Sequence, residues 1–420
     1  MNDQITYIDL FAGAGGLSEG FIREGYLPIA HVEKDTNACL TLTTRLAYHH
    51  LVAQNQLNIY HSYLKKEISR DELYSYLPKE LKSTIINQEI SDATLSSIFT
   101  IIDNNLKNYG RNKVDVVIGG PPCQAYSVVG RARIRDEKKK NEDPRRFLFK
   151  LYVRFLQEYQ PKIFIFENVP GILNAKDEDS CLFIHHIEAE FRNAGYTMKY
   201  QILNASNYGV LQNRNRVFIV GWQTSLNIDY PAFEHISFPN PQVWNDLLSD
   251  LPALKAGQNW ASHTYLTLPT QYQQKFGIRD KTDLLTWHIA RPNNDNDLAI
   301  YKLAIEKWFN EDKRLLYTDV PTTLRKQKNQ NSFLNRFSVV EGNKAAAHTM
   351  VAHIAQDGHY YIHPDINQLR SITVREAARI QSFPDNYFFE GTRTYAFTQI
   401  GNAVPPLVGQ AIAKKLLELL

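Results

Sequence analysis

Val114-Asp115-Val116-Val117-Ile118-Gly119-Gly120-Pro121-Pro122-Cys123-Gln124-Ala125-Tyr126-Ser127 is the stretch from which the fold can be read. Its first five residues form a short, largely apolar run of the kind a buried parallel strand requires. Two glycines and two prolines end that run and stiffen the loop, and a cysteine follows at once. Open α/β sheets bind their ligands beyond the carboxyl ends of the strands, so a thiol held there is placed to act as a nucleophile. For a lone cysteine the ordinary alternative is a buried residue in a tight turn. Two further segments reverse that preference. Glu167-Asn168-Val169 follows another apolar run, and Gln212-Asn213-Arg214-Asn215-Arg216 precedes a third.

Outward from this stretch, the first half of the chain alternates apolar runs with amphipathic ones. Strands are predicted at 6–11, 28–33, 114–118, 163–166 and 216–220, and a short helix at 17–24. Between 145 and 159, Phe147, Leu148, Leu151, Tyr152 and Phe155 share one side, while Arg145, Lys150, Arg154 and Glu158 fall largely on the other. That is helical periodicity. Strands alternating with helices give an α/β fold with a mostly parallel, Rossmann-like sheet. The pattern breaks after Trp222. From there to about residue 369 the chain is rich in Asn, Gln, Pro, Tyr and charge, as expected of a smaller, less regular domain. Order returns at Thr373-x-x-Glu376, a capping box, and the chain ends with Pro405-Pro406 leading an apolar helix. The expected division is therefore 1–222 with 396–420 as one domain and 223–395 as the other. Residues 48–87 read as a helical insertion without chemistry of its own.

The bulk numbers set bounds. A chain of 420 residues suits two or three domains, and its net charge of +3 does not by itself announce nucleic acid. No apolar run approaches the roughly 18 residues of a membrane span, and no signal peptide is visible, so the expectation is a cytoplasmic protein. Cys39, Cys123 and Cys181 are far apart, odd in number and lack CxxC spacing. This points to a reducing compartment and argues against a zinc site or any other metal.

Phe11-Ala12-Gly13-Ala14-Gly15-Gly16 joins the first strand to the first helix. Glycines there let backbone approach a ligand at a helix N-terminus. The dinucleotide fingerprint fails, because Ser18 stands where its third glycine belongs. Glu33 ends the second strand, about 20 residues on, where an acid meets a ribose hydroxyl. The turn thus favours a nucleoside-bearing cofactor, with less support for a pyrophosphate.

Together these pieces resemble the DNA cytosine-C5 methyltransferase family. The resemblance rests on Asp9-Leu10-Phe11-Ala12-Gly13-x-Gly15-Gly16, Pro121-Pro122-Cys123-Gln124, Glu167-Asn168-Val169 and Gln212-x-Arg214-x-Arg216. It continues with Arg370-Ser371-Ile372-Thr373-x-Arg375-Glu376-Ala377-Ala378-Arg379, Phe383-Pro384-Asp385 and Gln399-Ile400-Gly401-Asn402-Ala403-Val404-Pro405-Pro406. The resemblance implies S-adenosylmethionine as cofactor, cytosine in double-stranded DNA as substrate, and a target-recognition domain between the catalytic segments. It also implies a functional link to a restriction endonuclease or a defence system. Carried over residue by residue, it assigns Phe11, Ala12, Gly13, Gly15, Gly16, Leu17, Glu33, Pro121, Asn402 and Val404 to the cofactor, with Phe11 packing on it and Glu33 on its ribose. Lys34 stands where the family often has an aromatic. The residue reading the adenine amino group is Glu89 or Asp92.

The chemistry asks for these residue types. Cytosine C5 is a poor nucleophile until a thiolate adds to C6, a role for Cys123, with Gln124 beside it. Electrons then move onto N3 and O2. Glu167, if burial keeps its proton, serves as acid at N3. Arg216 suits O2, with Arg214 in the same block. The base that takes the C5 proton is left open. C6 is shielded in a duplex, so the cytosine must be flipped out. Arg131, Arg133, Arg135 and the basic residues up to Arg146 suit phosphate contacts, as does Ser127. Arg325, Lys326 and Gln327 carry donors suited to base edges. Thr349 resembles a family threonine at the flipped base. An RNA cytosine methyltransferase, a nucleotide-dependent oxidoreductase and an inactive DNA-binding module are the rival readings.

Overall fold

The computed structural model describes residues 4–122, 147–226, 228–326 and 332–420. Cys123, Gln124, Ser127, Arg131, Arg133, Arg135 and Gln327 lie outside the described residues. Seven strands form one sheet: β1 (Thr6–Leu10), β2 (Leu27–Glu33), β3 (Ile85–Asn87), β4 (Val116–Gly119), β5 (Ile163–Asn168), β6 (Tyr196–Asn204) and β7 (Asn215–Gln223). Their order across the sheet is β3-β2-β1-β4-β5-β7-β6. The first five strands in that order run parallel, and β7 is antiparallel to both β5 and β6. The α/β architecture and the five predicted strands are thus present. The sequence reading missed β3 and β6. The former has three residues, too few for periodicity, and the latter is an edge strand whose centre, residues 199–202, is exposed.

Alternation along the strands builds two cores. Tyr7, Val116, Ile118, Ile165 and Val220 face one side, while Ile8, Leu10, Val117, Phe164 and Ile219 face the other. Burial on both faces is why the parallel strands read as unbroken apolar runs. The second face is covered by helices Leu95–Asn108, Leu148–Tyr159 and Phe183–Asn193. The first is covered by helix Gly16–Arg23, by the C-terminal helix Pro406–Leu417 with proline in its first turn, and by much of the chain beyond residue 203. The insertion forms three short helices, Leu57–Leu64, Arg70–Ser75 and Lys79–Lys82, whose Tyr60, Leu64 and Leu73 pack with Leu46 and Leu51 of the long helix Thr36–Ala53.

Within the irregular region, helix Asp295–Glu311 anchors its own small core of Ile300, Tyr301, Trp308, Tyr317, Phe337 and Ile362. The rest of the region shares the first sheet core. The capping box forms as read: Thr373 accepts from the Glu376 N–H, and Glu376 Oε2 accepts from the Thr373 N–H at 2.6 Å. Residues 386–390, on the far side of the boundary expected at 396, bond to the helix Thr36–Ala53. Asn386 accepts from Arg45, and the Glu390 N–H donates to Thr41 at 2.8 Å. Beneath them lies a buried ionic knot. Arg379 bonds both Asp250 (2.6 Å) and Asp385 (2.6 Å), Arg279 joins it at Asp250, and all four side chains are almost fully buried.

Removing one member of a buried ion pair leaves its partner charged and dry. Arg379→Met is predicted to lower unfolding free energy by about 3–5 kcal/mol, whereas breaking the exposed Lys199–Asp229 pair with Lys199→Met should cost less than about 1 kcal/mol. Denaturant midpoints of the two variants check this.

Candidate active site

The carboxyl ends of β1, β2, β4 and β5 lie along one edge, where open α/β sheets hold their ligands. The β1 loop there has left-handed backbone at Phe11 (φ 57°), Gly13 (φ 54°) and Gly15 (φ 78°). Its glycines divide by role. A side chain at Gly16 would meet the Val404 carbonyl at 2.2 Å, so this glycine admits the C-terminal turn. Gly15 presses on Leu42 in the same way, whereas nothing lies within 4 Å of where a Gly13 side chain would start. Open space for a ligand therefore sits at Gly13. Leu17 is buried and Phe11 half-buried. Val404 is buried, and Asn402 on the same turn is exposed.

Glu33, at the end of β2, is tied into this loop. Its Oε2 accepts the Gly13 N–H at 2.9 Å and its Oε1 accepts the Asp35 N–H at 2.8 Å. A carboxylate has about four acceptor sites, so capacity remains for a hydroxyl pair. Lys34, just after β2, pairs with Glu89, just after β3, at 2.9 Å, both exposed. Ser18, which spoils the dinucleotide fingerprint, is buried and bonded to Tyr7 and to His31 Nε2 (2.7 Å). Burial pushes the His31 pKa down to about 4, so the ring is neutral. Beside it, Asp9 is buried and its Oδ2 has no partner among the described residues. Burial, then the nearby Glu33, raises the Asp9 pKa, which favours a protonated carboxyl.

At β4, Gly119 pairs with Leu10 in register and carries φ 137°; a side chain there would collide with the Leu10 carbonyl at 2.0 Å. Gly120 lies against β5, where a side chain would fall 2.4 Å from the Glu167 carbonyl and 2.8 Å from its Oε2. Asn168, buried, donates to the Pro121 carbonyl at 3.3 Å. The backbone leading to Cys123 thus rests directly on the Glu167 carboxyl.

Glu167 in turn meets Arg216. Glu167 pairs with Phe218 across the antiparallel β5–β7 ladder, and Arg216 lies two residues from Phe218, so period-two alternation puts both side chains on one face as diagonal neighbours. Arg216 Nε stands 3.0 Å from Glu167 Oε1, with about 14% and 15% of the two side chains exposed. Burial raises the Glu167 pKa, and the charges of Arg216 and Arg214 only partly offset it.

Arg214 takes another place. It is 1% exposed, and its guanidinium donates to the carbonyls of Met350, Gly401 (3.1 Å) and Ala403 (2.9 Å). The sequence reading grouped it with the catalytic side chains; its bonds make it a positioning residue that reaches Glu167 through its field. Gln212, which the reading gave no role, is fully buried and completes the seam. It accepts the Met350 N–H at 2.7 Å and donates to Ile380 and Gln381. No sequence pattern marks that role apart from the block itself. Thr349 donates to the Asn213 carbonyl at 2.6 Å, beside the same seam. Arg325 is folded back on the carbonyls of Val320 and Thr318, and Lys326 is exposed.

A family model described as C-5 cytosine-specific DNA methylase matches residues 5–73 and 84–418, and the chain belongs to that family. It is a DNA (cytosine-5-)-methyltransferase. The chain is 43% identical to the type II methyltransferase M.Bpa9945I of Bacillus paralicheniformis, over 97% of each protein. It is 32% identical to the type II methyltransferase M.DdeI of Desulfomicrobium norvegicum, over 98% of this chain and 88% of that one. Its fold is similar to that of a prophage-encoded E. coli protein described as a DNA modification methyltransferase, with TM-score 0.65, 23% identity and 99% of each chain covered. The oxidoreductase reading is set aside. Among the described residues no helix is long and apolar enough to cross a membrane.

The two arginines are predicted to separate by stability. Arg214→Met should lower the unfolding midpoint, at about 1–3 kcal/mol for each buried carbonyl left without a donor. Arg216→Met should unfold near the parent, because Glu167 can take up a proton, yet lose methyl transfer.

Proposed function

We propose that this enzyme takes a methyl group from S-adenosylmethionine and places it on C5 of a cytosine flipped out of a specific duplex sequence, through an adduct between Cys123 and C6. The observation that carries the reading is the seating of Gly120 and Pro121 on β5, which brings the approach to Cys123 against a buried carboxyl with a raised pKa. The cofactor assignment is supported by the open space at Gly13 and by Glu33, held at both oxygens and still able to accept ribose hydroxyls. Glu89, which the resemblance offers for the adenine amino group, is paired with Lys34. When bound, S-adenosylmethionine supplies an electrophilic methyl on a sulfonium.

The residues then divide the work. The Cys123 thiolate adds to C6, and the ring electrons shift toward N3 and O2. Glu167 gives N3 its proton, which a carboxyl raised above its usual range still holds. Arg216 uses Nε on Glu167 and Nη1 on the Asn215 carbonyl, and its remaining N–H donors suit O2. After C5 gains its methyl, loss of the C5 proton expels the thiolate, and N3 returns its proton to the Glu167 carboxylate. Flipping the base would draw on Thr349, and the basic residues Arg131, Arg133 and Arg135, with Ser127, suit the phosphates. Arg325, Lys326 and Gln327 belong to the surface offered to base edges. The type II names of the relatives support a restriction-modification setting with a partner endonuclease.

Fluorine at C5 cannot leave as a cation, so a duplex target carrying 5-fluorocytosine should trap the enzyme covalently when S-adenosylmethionine is present. The cross-link should survive denaturing electrophoresis, map to Cys123 and vanish in Cys123→Ser. A cross-link mapping to Cys39 or Cys181, or preferred methylation of tRNA over duplex DNA, would contradict the reading.

A further inference from the structure

Beyond Glu167 the chain passes through the short 3-10 helix Pro170–Asn174 and makes a tight hairpin before helix Phe183–Asn193. The hairpin is closed by an antiparallel bridge between Lys176 and Leu182, by the Asp177 N–H on the Cys181 carbonyl (2.9 Å), and by the Phe183 N–H on the Ala175 carbonyl (2.9 Å). This closure gathers three side chains of different chemistry. Asp177 enters the turn, Cys181 leaves it, and His186 sits in the first turn of the helix. His186 Nε2 lies 2.6 Å from Asp177 Oδ2, and the Cys181 N–H donates to Asp177 Oδ1 at 2.8 Å. The thiol, imidazole and carboxylate ligand atoms all lie within 4.8 Å of one another. All three residues are partly accessible, and Cys181 is a free thiol.

We propose that Asp177, Cys181 and His186 bind a divalent transition metal of the zinc class, with water in the fourth position. One thiolate, one imidazole and one carboxylate make a borderline-soft donor set, which suits zinc and not calcium or magnesium, whose ligands are oxygens. Metal–ligand bonds of about 2.0–2.3 Å set tetrahedral ligand atoms roughly 3.3–3.8 Å apart. The three atoms lie within 4.8 Å of one another, close enough for side-chain rotation to bring them to that spacing. The Asp177–His186 contact at 2.6 Å must open by about 0.7 Å, and side-chain rotation supplies that while the hairpin backbone stays closed. Thiolate and carboxylate together neutralise the dication, and Glu178 and Asp179 on the same turn add negative field. Without a metal, the Asp177–His186 contact is a surface pair that contributes little.

The cysteine spacing argues only against a zinc site built on paired thiols. This set uses one thiol, with ligands separated by four and five residues, and only the hairpin brings them together. The site is distinct from the Glu167–Arg216 face. It has a structural consequence nearby, since the Phe183 ring, two residues after Cys181, packs on Phe147 with centroids 6.0 Å apart. A metal clip would therefore stiffen the ground on which helix Leu148–Tyr159 begins.

The test uses the full chain, stripped with a chelator and titrated with cobalt(II). One equivalent should bring the visible bands of a four-coordinate site together with a near-ultraviolet thiolate-to-metal charge-transfer band, and zinc(II) should bleach both. Cys181→Ser should abolish the charge-transfer band, and His186→Ala should weaken zinc binding by roughly 10–100-fold or more. Both variants should keep the parent's circular dichroism, because the side chains are not core. The proposal is overturned if the parent shows no charge-transfer band on cobalt addition. It is equally overturned if the band persists in Cys181→Ser, which would assign it to Cys39 or Cys123.

Discussion

The contact between Glu167 and Arg216 is the one on which the site depends. It exists because β7 enters the sheet antiparallel, between β5 and β6. Antiparallel pairing sets Glu167 opposite Phe218, and alternation then delivers Arg216 to the same face two residues earlier in the chain. Burial and cation pull the carboxyl in opposite directions. Desolvation raises its pKa, the two arginines lower it, and desolvation wins. An acid that must hold a proton near neutral pH needs that balance. Full burial without Arg216 would remove the group that orients it, and a dominant arginine would leave only a carboxylate.

Around this contact the chain is sewn together by short polar staples, where an apolar interface would have allowed sliding. Gln212 and Arg214 fix the start of β7 to Met350, to Gln381 and to the turn at Gly401–Ala403. That turn presses its Val404 carbonyl against Gly16, and Gly16 opens the helix that follows the Gly13 loop. The face carrying Glu167 and the loop with open space at Gly13 are therefore linked through one set of backbone bonds. Substitutions in the linking residues act on both, which is why Arg214 belongs with the positioning groups although it lies only two residues from Arg216.

Much of this was legible in the sequence, and the reasons are physical. Strands buried on both faces write themselves as apolar runs, so β1, β2, β4, β5 and β7 could be read, as could the Thr373 capping box. β6 could not, because an edge strand exposed at its centre has no hydrophobic signature. The Arg214–Arg216 block could be found but not resolved. One arginine faces the carboxyl and the other is buried among carbonyls that lie more than a hundred residues further along the chain, a difference no local pattern carries. Likewise, Gly13, Gly15 and Gly16 look alike as letters, and only the packing of Leu42 and Val404 shows which of them leaves room for a ligand. The ionic knot of Asp250, Arg279, Arg379 and Asp385 joins four residues that no local pattern connects.

The chemistry proposed for this site depends on Glu167 holding its proton. Its titration can be followed by NMR in protein labelled with carbon-13 at the glutamate carboxyls, with Glu167→Gln used to assign the signal. The carboxyl should titrate above the ordinary glutamate value of 4.5, and Arg216→Met should move it higher still. A Glu167 signal that titrates at or below the ordinary value would contradict the claim that burial outweighs the arginines and holds an acid in place at this site.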